Sequence, residues 1–233
     1  EEWWNEWEIR PYTMNAYIMC DPAHSRKRES NRTAIAVVGV DGNYNKFLLD
    51  GVCHRLSLSE RWDALKMLRS KWKRAPGIRE VKVGYERYGA QSDIEHFKEM
   101  MRIDGSSFPV YELNWTGGGG PQSKRDRIQR LEPDLKDGSF FFPYPTDEKR
   151  LTSHQKDYKI KKQEYLISKK ILRRDEEGKV YDLVDWVRRN EYLLFPTIHP
   201  DFLDALSRIY DMEPMPPISR NRRSLEPEAE ARF

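Results

Sequence analysis

Four carboxylates in this chain occupy positions where a rigid catalytic acid can be held. Asp21 closes the apolar run Met14 to Cys20 and is followed at once by Pro22, which cannot extend a strand's hydrogen-bond ladder. Glu86 closes the run Glu80 to Tyr85 in the same manner, and Arg87, Tyr88 and Gly89 follow it. Further on, Phe202, Ala205, Leu206 and Ile209 share one helical face, while Asp201, Asp204, Arg208 and Asp211 line an adjacent edge. Each acid has an ordinary explanation alone. Asp opens turns, a strand-end Glu is commonly solvated, and Asp in a first helical turn complements the dipole. Brought together at one sheet edge, they would repel one another unless divalent cations lay between them. Oxygen ligands suit Mg²⁺ or Mn²⁺, and two such ions about 4 Å apart activate water and stabilise the leaving oxygen of a phosphodiester. The expected chemistry is nucleic acid hydrolysis by two-metal catalysis. Asp201, in the first turn, is expected to be the direct ligand, and Asp204 a second ligand or a partner just outside the metal.

The basic residues fit a polyanionic partner. Net charge is only +3, but cations cluster at Arg26 to Arg28, Lys124 to Arg130, Lys156 to Arg174 and Arg220 to Arg223. Any one cluster is equally well a solvated helix face. Around an acidic site, Lys124, Arg125, Arg127 and Arg87 are the expected DNA contacts, and they suit phosphate rather than base edges. The four consecutive glycines Gly117 to Gly120 invite a nucleotide-loop reading, but no Gly-Lys-Ser/Thr follows them.

The elements that must position these acids follow from periodicity and turn residues. Met14 to Asp21, Thr33 to Val40 and Lys46 to His54 predict three strands in an antiparallel meander, the second pair joined at Asp41-Gly42-Asn43. A helix capped by Ser59 runs to about Lys73, with Trp62, Leu65, Leu68 and Trp72 on one face. Then come a strand at 80–86, a helix at 91–102, a strand at 108–115, a helix at 123–135 and a short strand at 139–143. The order βββαβαβ predicts an α/β fold: a ribonuclease H-like mixed sheet flanked by helices.

The expected domain, residues 14–212, carries an insertion at about 144–195 with helices near 156–173 and 183–190, a turn at Glu177 to Lys179 that suits a hairpin, and a last core helix at 200–212. Residues 1–13 form an approach segment rich in Trp, and 213–233, rich in Pro, Arg and Glu, are expected to be a disordered tail. Cys20 and Cys53 sit in apolar runs, as core residues of a reduced, cytoplasmic protein do, and no Cys/His spacing suggests zinc. No apolar run is long enough to span a membrane, and the N-terminus lacks a signal peptide's pattern.

With these residues in view, the chain resembles the nuclease domain of the large terminase subunit of tailed bacteriophages. The matching stretches are Tyr17-Ile-Met-Cys-Asp-Pro-Ala23, Val83-Gly-Tyr-Glu-Arg-Tyr-Gly89, Lys124 to Leu131 with Gly138 to Pro143, and His199-Pro-Asp-Phe-Leu-Asp-Ala205. The resemblance implies that Asp21, Glu86 and the Asp201/Asp204 pair are the catalytic acids. The family usually shows two adjacent aspartates after the His, and Pro200 stands at the first of those places. It also implies cutting of concatemeric double-stranded viral DNA during capsid packaging, in the host cytoplasm. The partners would be an ATPase motor domain, absent from this sequence, the portal and the small terminase subunit. The same acids would serve a junction resolvase or transposase-type nuclease, or persist in a non-catalytic DNA-binding or portal-docking module.

Overall fold

The structure is a computed structural model and describes residues 2–7, 9–11, 13–23, 32–86, 91–114, 121–144 and 165–218. Its centre is the meander β3 (Met14–Asp21), β4 (Thr33–Val40) and β5 (Lys46–His54), paired antiparallel in sequence. β3 and β4 are apolar on nearly every position because both sheet faces are covered, and β5 is buried along most of its length. The turn before β5 is set by Asp41, whose carboxylate accepts from the Asn43 and Asn45 backbone N–H groups.

Helix α1 (Leu58–Lys73) lays Trp62, Leu65, Leu68 and Trp72 on one face of the sheet. Its cap is Ser57 rather than the expected Ser59. The Ser57 hydroxyl takes the Glu60 N–H, and the Glu60 carboxylate returns to the Ser57 N–H, a reciprocal box that Ser59 cannot form. β6 (Ile78–Glu86) then runs parallel to β3, and after α2 (Gln91–Ile103), β7 (Val110–Leu113) runs parallel to β6. On the other edge β8 (Phe140–Pro143) joins β5 in parallel, and β1 (Glu6–Trp7) joins β8. The seven strands lie in the order β1-β8-β5-β4-β3-β6-β7. An antiparallel meander extended through helices by parallel strands beside its first member is the ribonuclease H-like arrangement.

Several boundaries differ from expectation for identifiable reasons. The predicted helix at 123–135 is two, α3 (Pro121–Gln129) and α4 (Glu132–Lys136), with Pro133 opening the second. The predicted helix near 156–173 is overturned where it is described. Tyr165–Ile167 forms β9 against β2 (Ile9–Pro11), and Leu172–Arg174 forms β10 in a hairpin with β11 (Val180–Asp182). For β9 pairing with a strand distant in sequence prevails over local helical propensity, while β10 and β11 close the hairpin expected around Glu177 to Lys179. Arg173 ties that hairpin to the sheet through the Asp50 carboxylate and the Gly51 carbonyl. Helix α5 (Leu183–Val187) continues as a π-turn, Arg188–Tyr192. The last core helix is α6 (Asp201–Ser207), tightening into a 3-10 turn at Arg208–Met212. Trp4 and Trp7 are buried, Trp4 stacked on Phe142. Of the tail expected to lack order, Met215 is held to β3 through both its backbone groups by Tyr17 Oη, with Asn15 adding a bond to its carbonyl.

Candidate functional site

β3 and β6 are parallel neighbours with Cys20 opposite Tyr85, so Asp21 and Glu86 follow side by side at one end of the sheet. Strand alternation decides the face. Cys20 and Tyr85 belong to the core under α1, whereas Tyr17 and Met19 belong to the core under α6, so both acids turn towards α6. Two glycines bring that side down onto the sheet. A Cβ at Gly51 would fall 2.6 Å from the Phe202 ring, and one at Gly84 would fall 2.5 Å from Met212 Sδ. The helix thus approaches as closely as bare backbone allows, and its acids reach the strand ends.

On α6, Asp204 is 1% exposed and held in bidentate fashion by Arg127, Nε to Oδ1 at 2.8 Å and Nη2 to Oδ2 at 2.6 Å. Asp201 is less deeply placed. It accepts from the Lys124 ammonium at 2.8 Å and from the Arg32 backbone N–H at 2.8 Å. Lys124 Nζ also stands 3.6 Å from Asp204 Oδ2. Glu86, 3% exposed, is ion-paired to Arg208, whose Nη2 lies 2.7 Å from Oε1.

Electrostatics tie three of these acids into one unit. Burial, then the negative charges of Glu86 and Asp204, push the Asp21 carboxyl well above the usual carboxylate range; Lys124 opposes this, and a hydrogen bond with Glu86 reinforces it. The helix acid that burdens Asp21 is therefore Asp204, one turn deeper than Asp201. Burial works against the charge on Lys124, yet the carboxylates of Asp21, Asp201 and Asp204 outweigh it and hold the ammonium above the normal lysine range. Arg127 is held charged in the same way, chiefly by Asp204.

Among its structural neighbours are terminase nucleases. Solved structures similar to this one include the large terminase nuclease of the thermophilic phage G20c, at 10% identity and a TM-score of 0.45, covering 89% of this chain and 93% of that one. The human cytomegalovirus terminase nuclease domain is 15% identical with a TM-score of 0.47, covering 87% and 84%. A fowlpox virus Holliday junction resolvase is 14% identical with a TM-score of 0.33, covering 64% and 86%. No protein-family model matches the chain, and no curated protein does.

Of the expected DNA contacts, Arg125 is exposed on α3, whereas Lys124 and Arg127 turn inward to the acids. Lys124, Arg125 and His199 line a small recess with Phe195, Pro196 and Pro200 beside the start of α6. Arg87, the glycine run and the Arg26 to Arg28 and Arg220 to Arg223 clusters lie outside the described residues.

Two participants were not foreseen. Glu191, presented by the π-turn, accepts from the Asp201, Phe202 and Leu203 N–H groups at 3.1, 3.0 and 2.9 Å. It thereby caps the helix that carries both aspartates, where Pro200 offers no side-chain cap. Burial raises its carboxyl to about 7 despite those bonds. Nothing in the run Arg188 to Tyr192 marks it, because its partners are backbone groups ten residues away. Arg208 had been placed on the acidic edge of the helix, which was the available signal, but without a role.

The donor set at the strand ends is all oxygen and carries more negative charge than its surroundings neutralise, as Asp21 registers. That chemistry fits a hard divalent cation. Among the described residues, no three His, Cys, Asp or Glu side chains already form a ready cage. Oxygens of Asp204, Asp201 and Glu86 are turned instead to Arg127, Lys124 and Arg208.

Proposed function

We propose that the chain is a metal-dependent DNA endonuclease, the nuclease part of a tailed-bacteriophage large terminase subunit. The observation that supports this most strongly is the convergence of Asp21, Glu86 and Asp204 at one sheet end, where burial and then the charges of Glu86 and Asp204 raise the Asp21 carboxyl. The order of motifs along the sequence supports the terminase reading.

In this reading Asp21, Glu86 and Asp204 hold divalent ions, Mg²⁺ or Mn²⁺, which supply an activated water and charge stabilisation at the leaving oxygen. Asp21 would serve as a ligand in its carboxylate form. Arg127 fixes Asp204 with two parallel bonds, which sets the carboxylate plane. Glu191 fixes the first turn of α6 and with it the Asp201 backbone. Lys124, kept charged by its neighbours, faces the strand from inside the site, and the exposed Arg125 meets the phosphate backbone at its edge. We assign Asp204 as the helix acid that binds metal and Asp201 as the anchor of Lys124. The biological setting in this proposal is the cutting of viral DNA in the host cytoplasm, with a motor domain, the portal and the small terminase subunit as partners.

Supercoiled plasmid tests the proposal. Wild-type protein is expected to nick and then linearise it in Mn²⁺ or Mg²⁺ and to leave it intact in EDTA. The ends should map to no common sequence, since no element offers base readout. Intact plasmid under every cation would remove the nuclease assignment, and discrete ends shared by unrelated plasmids would contradict the backbone-only recognition.

A further inference from the structure

Arg208 is the least exposed charged residue of the described chain, at 0%. Its Nη1 donates to Asp211 Oδ2 at 2.7 Å, and its Nη2 lies 2.7 Å from Glu86 Oε1. Among the described residues its Nε and Nη2 have no hydrogen-bond partner, so the Glu86 pairing is one of charge and not of aligned donor and acceptor. Asp211 in turn accepts from Arg130 Nη1 at 2.7 Å, and Arg130 is partly exposed. A line of alternating charge therefore runs from α3 at the surface, through the 3-10 turn, to an acid of the candidate site.

A buried arginine with unspent donors is a poor stabilising device. Apolar side chains in place of the whole ion pair often hold such packing equally well, so the pairing is weak evidence of a stabilising role. What an apolar residue would not do is fix Glu86 Oε1 from behind and oppose its charge. We propose that Arg208 is a positioning residue for Glu86: it holds the carboxylate in place and weakens the site's attraction for a divalent cation until substrate is present. The inference rests on the nuclease reading above. It assigns to Arg208 two opposite effects, since removing its charge leaves Glu86 more attractive to a cation but less well oriented.

The test compares Arg208→Met, which keeps bulk and loses charge, with Arg208→Lys, which keeps charge but not the fork that spans two acids. Mn²⁺ binding to the protein alone is followed by the paramagnetic resonance of free Mn²⁺, and plasmid cleavage is followed at saturating Mn²⁺. Arg208→Met is expected to bind Mn²⁺ several-fold more tightly and to cleave about ten- to a hundredfold more slowly. Arg208→Lys is expected to keep wild-type Mn²⁺ affinity and to lose part of the rate. A folded Arg208→Met protein with unchanged Mn²⁺ affinity, whatever its rate, reduces Arg208 to packing and overturns the proposal. If Arg208→Met fails to fold, Arg208→Lys decides: a wild-type rate in that variant overturns the proposal equally. Wild-type protein that neither binds Mn²⁺ nor cuts DNA removes the nuclease reading and this inference together.

Discussion

Asp21→Asn is expected to stop cleavage and, in the same protein, to raise resistance to urea at neutral pH. The two effects have one cause. In the folded chain burial and the charges of Glu86 and Asp204 hold the Asp21 carboxyl well above its ordinary range, so the native state keeps this proton after the unfolded chain has lost it. Stability from this group is fully present below the unfolded carboxylate pKa and is lost as pH rises through the folded one. At neutral pH the folded chain therefore carries an electrostatic cost that the neutral Asn side chain lacks. The variant's urea midpoint should exceed the wild type's at pH 7, and the gap should close towards about pH 4. Cleavage should fall at least about a hundredfold, because a ligand to the catalytic cation is gone. If Asp21→Asn is less stable than wild type at pH 7, the charge cluster is not what burdens this site.

Asp204→Asn is expected to lose at least about a hundredfold in cleavage rate, whereas Asp201→Asn keeps most of its activity, within about tenfold. The sequence favoured the opposite order, because Asp201 stands in the first turn of the helix. The geometry favours Asp204. Its charge bears on Asp21, and two bonds from Arg127 orient it. The Asp201 carboxylate lies nearer the surface and holds Lys124 and the Arg32 N–H. Asn at 204 retains one acceptor for Arg127, but it leaves a buried guanidinium with a weaker partner, so folding of this variant must be verified by circular dichroism. Normal cleavage by folded Asp204→Asn beside an inactive Asp201→Asn would restore the original order.

These comparisons show what the sequence could and could not convey. Asp21 and Glu86 were legible because an apolar run that stops at an acid marks a strand end, and parallel neighbours bring two such ends together. The meander was legible because strands covered on both faces read as unbroken apolar runs. Choosing between Asp201 and Asp204 was beyond periodicity. Residues three apart lean to the same edge, and only the depth of α6 against the sheet separates them. That depth is set by Gly51 and Gly84, whose small size is recorded in the sequence while their contacts are not. Glu191 was illegible for a related reason: its work is done on backbone N–H groups, which no residue type announces. Arg127 looked like a phosphate contact because it lies in a basic run, yet Asp204, 77 positions away, accepts from its Nε and Nη2. Strand β9 was missed because its partner β2 lies near the N-terminus, whereas the hairpin of β10 and β11 was marked by the turn at Glu177 to Lys179.

The site itself is tested most directly by locating Mn²⁺ through its anomalous scattering in crystals grown with a short DNA duplex. Manganese is expected against the carboxylates of Asp21, Glu86 and Asp204, with a phosphate of the duplex beside it and Lys124 still paired to Asp201. Manganese bound through Asp201 without Asp204, or a duplex seated with no ion between these three acids, would contradict the assignment.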